Sequence, residues 1–252
     1  MTQIMQARAM CKSYGPVRVL ENVDFELDEG EAHVVIGPNG AGKTTLFRCL
    51  SGETRIDSGT ITLSGSDVTA LEGWQRVKSG IGRSFQVARI FGGMSAFENL
   101  IIAIETRERN KNGLRFSLRH LAPRKAVLEE AERLIGELGL EHTSDDAAEN
   151  LSHGDKKRLE LAMSLALKPK LLMLDEPTAG MSPSDRAEAV RLISQVRDTY
   201  GLTLLLTEHD MEVVFGLATR LTVLHQGVII ASGQPEEVRA DSRVREVYLG
   251  QH

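Results

Sequence analysis

The run Gly37-Pro38-Asn39-Gly40-Ala41-Gly42-Lys43-Thr44-Thr45 constrains this chain more than any other stretch. It has the spacing of a phosphate-binding loop, with Gly37 first, then Gly42-Lys43, then the hydroxyl of Thr44. His33 to Ile36 lead in as a buried strand, and Leu46 to Leu50 can follow as a helix. Each part has a physical purpose. The glycines let the backbone wrap closely around an anion and turn several N–H groups inward. A helix N-terminus adds the positive end of its dipole. Lys43 supplies a point charge for outer phosphates, and Thr44 offers a hard oxygen to magnesium. A glycine-rich turn with no ligand is the competing reading, and the strand–loop–helix context weighs against it.

The 252 residues have room for one large domain with a subdomain and a substantial core. A formal charge of −5 gives no general attraction to nucleic acid or to anionic lipid, so no nucleic-acid partner is expected. Cys11 and Cys49 lack metal-ligand spacing, and a reduced, cytoplasmic setting is expected. Met1 to Met10 does not read as a secretory signal, and no apolar run is long enough to span a bilayer. Work at a membrane would therefore go through a partner.

In order, Gln3 to Ala9 reads as a short, weakly patterned strand, and Arg18 to Leu27 alternates as a half-buried one. Tyr14 falls between them, where a half-buried loop aromatic is the plain expectation. Gly59 to Gly65 is another alternating strand, and these pieces predict an antiparallel sheet. From Met94 to about Leu167 the period becomes helical. Helices are expected over Ser95 to Glu105, broken at Asn110 to Gly113, over Arg124 to Leu138, and from Ser152 to Lys168-Pro169. Leu171 to Leu174 and Leu202 to Leu206 read as doubly buried strands. A helix from Ser182 or Ser184 to Tyr200 separates them, and a short helix from Met211 leads to strands at Leu221 to His225 and Val228 to Ala231. The expected fold is α/β: a P-loop NTPase core with a mostly parallel sheet, an antiparallel β subdomain and an inserted helical subdomain. The expected boundaries are 1–93 and 168–252 for the core and 94–167 for the insert, in one ATP-binding domain.

Asp175 ends an apolar strand, where phosphate-loop enzymes deliver an acid to magnesium. Glu176 follows and can orient or deprotonate an attacking water. His209 ends the next buried strand and can bond a γ-phosphate, although a lone histidine there is more often structural. Gln86 is bland alone, yet placed to sense magnesium or the γ-phosphate. Ser152-His153-Gly154-Asp155 reads either as a plain helix cap or as N–H groups presented to a phosphate.

Taken jointly, Tyr14, the phosphate loop, Gln86, Leu151 to Asp155, Asp175-Glu176-Pro177-Thr178 and His209 resemble the nucleotide-binding subunits of ABC transporters over essentially the whole chain. The resemblance implies that Tyr14 stacks on adenine. It also implies that the Ser152 segment of one subunit closes over the ATP on the phosphate loop of another. Two ATP molecules, with magnesium held near Thr44, Gln86 and Asp175, would sit in a head-to-tail dimer of identical or homologous subunits. The insert near Gln86 would dock transmembrane permease subunits at the cytoplasmic face of the membrane, with a solute-binding protein engaged indirectly. Within the family, Ile81-Gly82-Arg83-Ser84-Phe85-Gln86, Glu176 to Pro183, Glu208 to Met211 and Val247 to Gly250 are most similar to branched-chain amino-acid uptake ATPases. Urea or short-amide importers and lipopolysaccharide exporters are alternatives, as is a soluble ABC-type regulator. Two positions depart from the usual signature: His153 stands for glycine and Asp155 for glutamine. Lys156, Lys157 and Arg158 are expected to offset the added carboxylate.

Overall fold

The structure, a computed structural model, describes residues 2–83, 90–112 and 123–249. The chain divides into two compact units, Met1–Arg83 with Lys170–His252, and Ser84–Pro169.

The first unit carries two sheets. β1 (Gln3–Tyr14), β2 (Val17–Asp28), β4 (Ser58–Leu63) and β5 (Ser66–Asp67) form an antiparallel sheet in the order β2-β1-β4-β5. β1 runs five residues beyond its expected end at Ala9. Its pairing shifts register between Ala7 and Met10, where Ala9 takes φ 46° and its N–H donates to Asp24 Oδ1. Such a bulge breaks the two-residue period and hides the second half of the strand from a pattern search.

The second sheet has six strands: β3 (Ala32–Ile36), β6 (Ile81–Arg83), β7 (Leu171–Asp175), β8 (Thr203–Thr207), β9 (Arg220–His225) and β10 (Val228–Gly233). Their order is β10-β9-β3-β8-β7-β6, parallel except for β10. β3, β7 and β8 are buried at every position, which explains their unbroken apolar runs. β6 has three residues, too few for any periodic signal. α2 (Gly73–Lys78), α8 (Pro235–Ala240) and α9 (Ser242–Leu249) also lie outside the sequence expectations.

α1 (Lys43–Ser51) packs Leu46, Phe47, Cys49 and Leu50 into a core shared by both sheets. Arg76 of α2 is buried at the far end of α1. Its guanidinium donates to the carbonyls of Cys49 and Leu50 at 2.8 and 2.7 Å and to those of Leu71 and Thr69. α6 (Pro183–Tyr200) is capped by Ser182, not Ser184: the Ser182 hydroxyl accepts from the Asp185 N–H, with Pro183 in the first turn. α7 (Met211–Leu217) is capped by Asp210.

The second unit is helical. α3 (Ala96–Asn112) runs past Glu105 and ends at Asn112, within the break expected over Asn110 to Gly113, of which Gly113 lies outside the described residues. α4 (Lys125–Glu137) buries Val127, Ala131, Leu134 and Ile135, and Gly139 leaves it with φ 65°. α5 (His153–Ala166) follows a cap at Ser152. Arg107 of α3 forks onto Glu130 of α4 at 2.8 and 2.7 Å and bonds the Ala166 carbonyl of α5 at 2.7 Å, so one cation joins three helices. It holds the Glu130 carboxyl down at about 2, against burial, with help from Lys168.

Candidate active site

The phosphate loop joins β3 to α1, as the sequence predicts. Gly37 has no room for a side chain, since a Cβ would meet the Leu224 carbonyl oxygen at 2.2 Å. Gly42 takes φ 107° at the start of α1, and no side chain caps that end. Pro38, Asn39, Gly40 and Ala41 make the turn, with the Ala41 N–H on the Pro38 carbonyl at 3.1 Å. Lys43 Nζ folds back to donate to the carbonyls of Gly37 and Pro38 at 2.7 and 3.3 Å. Its pKa is lowered by burial, while Glu176 first and then Asp175 pull it the other way. Thr44 is exposed, and Thr45 is half-buried behind it.

β7 and β8 are neighbours in register, with Asp175 opposite Thr207. Asp175 is buried, accepts from the Thr207 hydroxyl at 2.6 Å, and lies 3.8 Å from the Arg83 guanidinium. Arg83 also meets Glu53 at 2.7 Å and the Ser51 hydroxyl at 2.9 Å. Glu176 takes φ 48°, a left-handed conformation that costs a non-glycine residue about 1 kcal/mol or more. Its N–H is held by both the carbonyl and the hydroxyl of Thr207, at 3.2 and 3.1 Å. The Glu176 carboxylate lies 3.9 Å from His209 Nδ1, and the imidazole is 65% exposed. The hydroxyl of Thr44 and the carboxylate of Asp175 are hard oxygens of the kind that suit magnesium.

Tyr14 closes β1, opposite Val17, rather than lying in a loop. It is 48% exposed, with Lys12 Nζ 5.5 Å from its ring centroid. Lys12 is anchored by Asp57 at 2.8 Å. Gln86 lies outside the described residues, as do 113–122 and Gly250.

In the helical unit, the Ser152 hydroxyl accepts from the Asp155 N–H at 3.1 Å and donates to Asp155 Oδ2 at 2.7 Å. His153 is exposed and Gly154 is half-buried at the helix start. Lys156 donates to the Glu149 carbonyl and Arg158 to that of Leu138, and His142 Nε2 lies 3.7 Å from the Asp155 carboxylate.

A model of the ABC transporter family matches residues 20–179, well over half of the chain. The chain belongs to the ABC transporter family. A second model, of branched-chain amino acid ATP-binding cassette transporters, matches residues 228–252. The chain is 39% identical over 253 residues to the high-affinity branched-chain amino acid transport ATP-binding protein LivG of Salmonella typhimurium, covering 98% of both. It is 34% identical to BraF of Pseudomonas aeruginosa, again covering 98% of both. It is 36% identical to the lipopolysaccharide export ATP-binding protein LptB of Acidithiobacillus ferridurans, covering 99% and 98%. A solved ATP-binding cassette of an ABC transporter, in its ADP conformation, has a TM-score of 0.85 at 29% identity and full coverage of both chains.

As an ABC cassette the chain is an ATP-binding ATPase that powers transport, in a family that works with membrane permeases. Among the described residues no helix is long and apolar enough to cross a membrane. Two ABC-cassette residues beside the site escaped sequence reasoning. Arg83 and Glu208 are charged residues at strand ends, where a sequence cannot tell a buried charge from a solvated one. Both lie in segments that resemble the family, which was the available signal.

Proposed function

We propose that this chain energises uptake of branched-chain amino acids, working as two copies, or with a similar second cassette, beneath permease subunits at the cytoplasmic face of the membrane. A solute-binding protein on the far side would deliver the cargo. The match of residues 228–252 to the branched-chain amino-acid cassette model carries the choice of solute. The similarity to LptB over nearly the whole chain favours lipopolysaccharide export as the second reading.

In this reading ATP lies along the phosphate loop. Tyr14 stacks on adenine, loop N–H groups and Lys43 take the phosphates, and Lys43 exchanges its two loop carbonyls for phosphate oxygens. Thr44 and Asp175, with Gln86, hold magnesium, which supplies charge neutralisation on the outer phosphates when bound. Glu176 takes the proton of a water as its oxygen bonds the γ-phosphorus and the bond to ADP breaks. His209 holds the γ-phosphate side. Ser152, His153, Gly154 and Asp155 of the second cassette close the site. The proximity of His209 to Glu176 at 3.9 Å supports this division of work.

The test is reconstitution in vesicles with the permeases encoded beside this chain. Turnover should rise when a binding protein loaded with leucine, isoleucine or valine is added. Stimulation by lipopolysaccharide partners alone would overturn the uptake reading.

A further inference from the structure

Thr207 ends β8, and it and the next three residues, Glu208, His209 and Asp210, all approach the end of β7 or the segment that follows it. Thr207 holds Asp175 and the Glu176 N–H. Asp210 pairs with Arg186 of α6 while capping α7 through the Glu212 and Val213 N–H groups. Glu208 is wholly buried, and no basic side chain pairs with it among the described residues. Its Oε1 accepts from the Thr178 hydroxyl at 2.7 Å and the Thr178 N–H at 3.2 Å, and its Oε2 accepts from the His209 N–H at 3.2 Å. His209 alone of the four turns its side chain to solvent, toward Glu176.

A buried carboxylate is expensive unless donors satisfy it, and an apolar residue would fill the same space at less cost. Three donors from two different segments converge on this one. We propose that Glu208 is a positioning residue: it latches Thr178 to the His209 backbone, and so fixes the imidazole relative to Glu176. Glu208 does not touch the nucleotide. It acts through His209, and a shift of the Thr178 to Ser182 turn must carry His209 with it. The inference rests on the ATPase reading above.

Glu208→Gln keeps size and shape but replaces one acceptor oxygen with a donor. The amide can then satisfy Thr178 or His209, but not both. In the full-length protein, turnover per nucleotide-binding site should fall roughly 10- to 100-fold with little change in KM, as for a displaced catalytic group. In a His209→Ala background the same change should cost no more than about twofold, because the two act as one unit. Hydrogen exchange at the His209 amide should quicken in Glu208→Gln. Thr178→Val should repeat the loss, and Thr178→Ser, which keeps the hydroxyl, should recover most of it. That second pair decides the matter if Glu208→Gln does not fold. Unchanged turnover per site with a lower Tm would overturn the proposal and leave Glu208 a purely structural residue. So would a Glu208→Gln loss that multiplies with that of His209→Ala, or equal turnover in Thr178→Val and Thr178→Ser. Absence of wild-type turnover would instead sink the ATPase reading itself.

Discussion

Helices α1 and α5 both begin with N–H groups that lack partners in their own helix, and the two ends are finished in opposite ways. At α1 the N-cap is Gly42, no side chain caps the helix, and Lys43 is parked on two loop carbonyls. At α5 the Ser152 hydroxyl caps the helix and also bonds the Asp155 carboxylate. One N-terminus is left open for an anion from outside. At the other, the Ser152 hydroxyl takes the Asp155 N–H and the Asp155 carboxylate stands beside it. The same helix dipole is thus presented bare at one end and behind a side-chain cap and a carboxylate at the other.

The largest expected effect concerns the chemistry at the open end. Glu176→Gln should lower ATP turnover by about 10²- to 10⁴-fold while nucleotide affinity stays close to wild type. Phosphate release and a binding titration check both halves, and near-normal turnover would take the base away from Glu176. Lys43→Ala should weaken ATP binding roughly 10- to 100-fold, the worth of a charge-assisted contact, read by titration with a fluorescent nucleotide. Retained tight binding would mean that the open N-terminus needs no cation.

Acid should act on the strand that feeds the open end before it acts on the unit that holds the closed one. His33 of β3 is buried, and burial pushes its pKa from 6.5 down to about 3. The unfolded chain takes up a proton that the folded chain refuses, so stability is full above about pH 6.5 and is lost as pH falls toward 3. The slope from this one site is at most about 1.4 kcal/mol per pH unit. In the helical unit Glu130 is depressed from 4.5 to about 2, so its contribution is present above about pH 4.5 and is lost only below it. Urea melts between pH 4.5 and 7 should show the loss, and His33→Gln should flatten it. An unchanged slope in that variant would place the titrating group elsewhere.

The smallest effect probes the closed end. Asp155→Gln removes a carboxylate from the face proposed to meet ATP. It should tighten ATP-dependent pairing of two copies about two- to fivefold, measured by sedimentation in a Glu176→Gln background. Pairing that is unchanged or weaker would show that a closed end is no obstacle.

The open end was legible in the sequence because Gly37 and Gly42 stand where backbone geometry tolerates little else, at fixed spacing. The doubly buried strands were legible too, since burial on both faces forces unbroken apolar runs. What escaped had short range or depended on partners distant in sequence. β6 is three residues long, and the bulge at Ala9 scrambled the second half of β1. The bonds of Lys156 and Arg158 to the carbonyls of Glu149 and Leu138 depend on where those two residues end up, which no local pattern encodes. Glu208 looks like any acid at a strand end until Thr178, thirty positions away, closes over it.

Arg76 gives the open end one further property. Its guanidinium sits on the last carbonyls of the helix whose N-terminus opens from the phosphate loop. α1 is thus a dipole with a fixed cation behind it, and in the proposed reading ATP would place an anion in front. Replacing Arg76 with an uncharged residue would remove that cation, and its bonds to the Cys49 and Leu50 carbonyls, without changing any residue of the phosphate loop. The loss would still be read at the nucleotide, as weaker affinity passed along nine residues of helix.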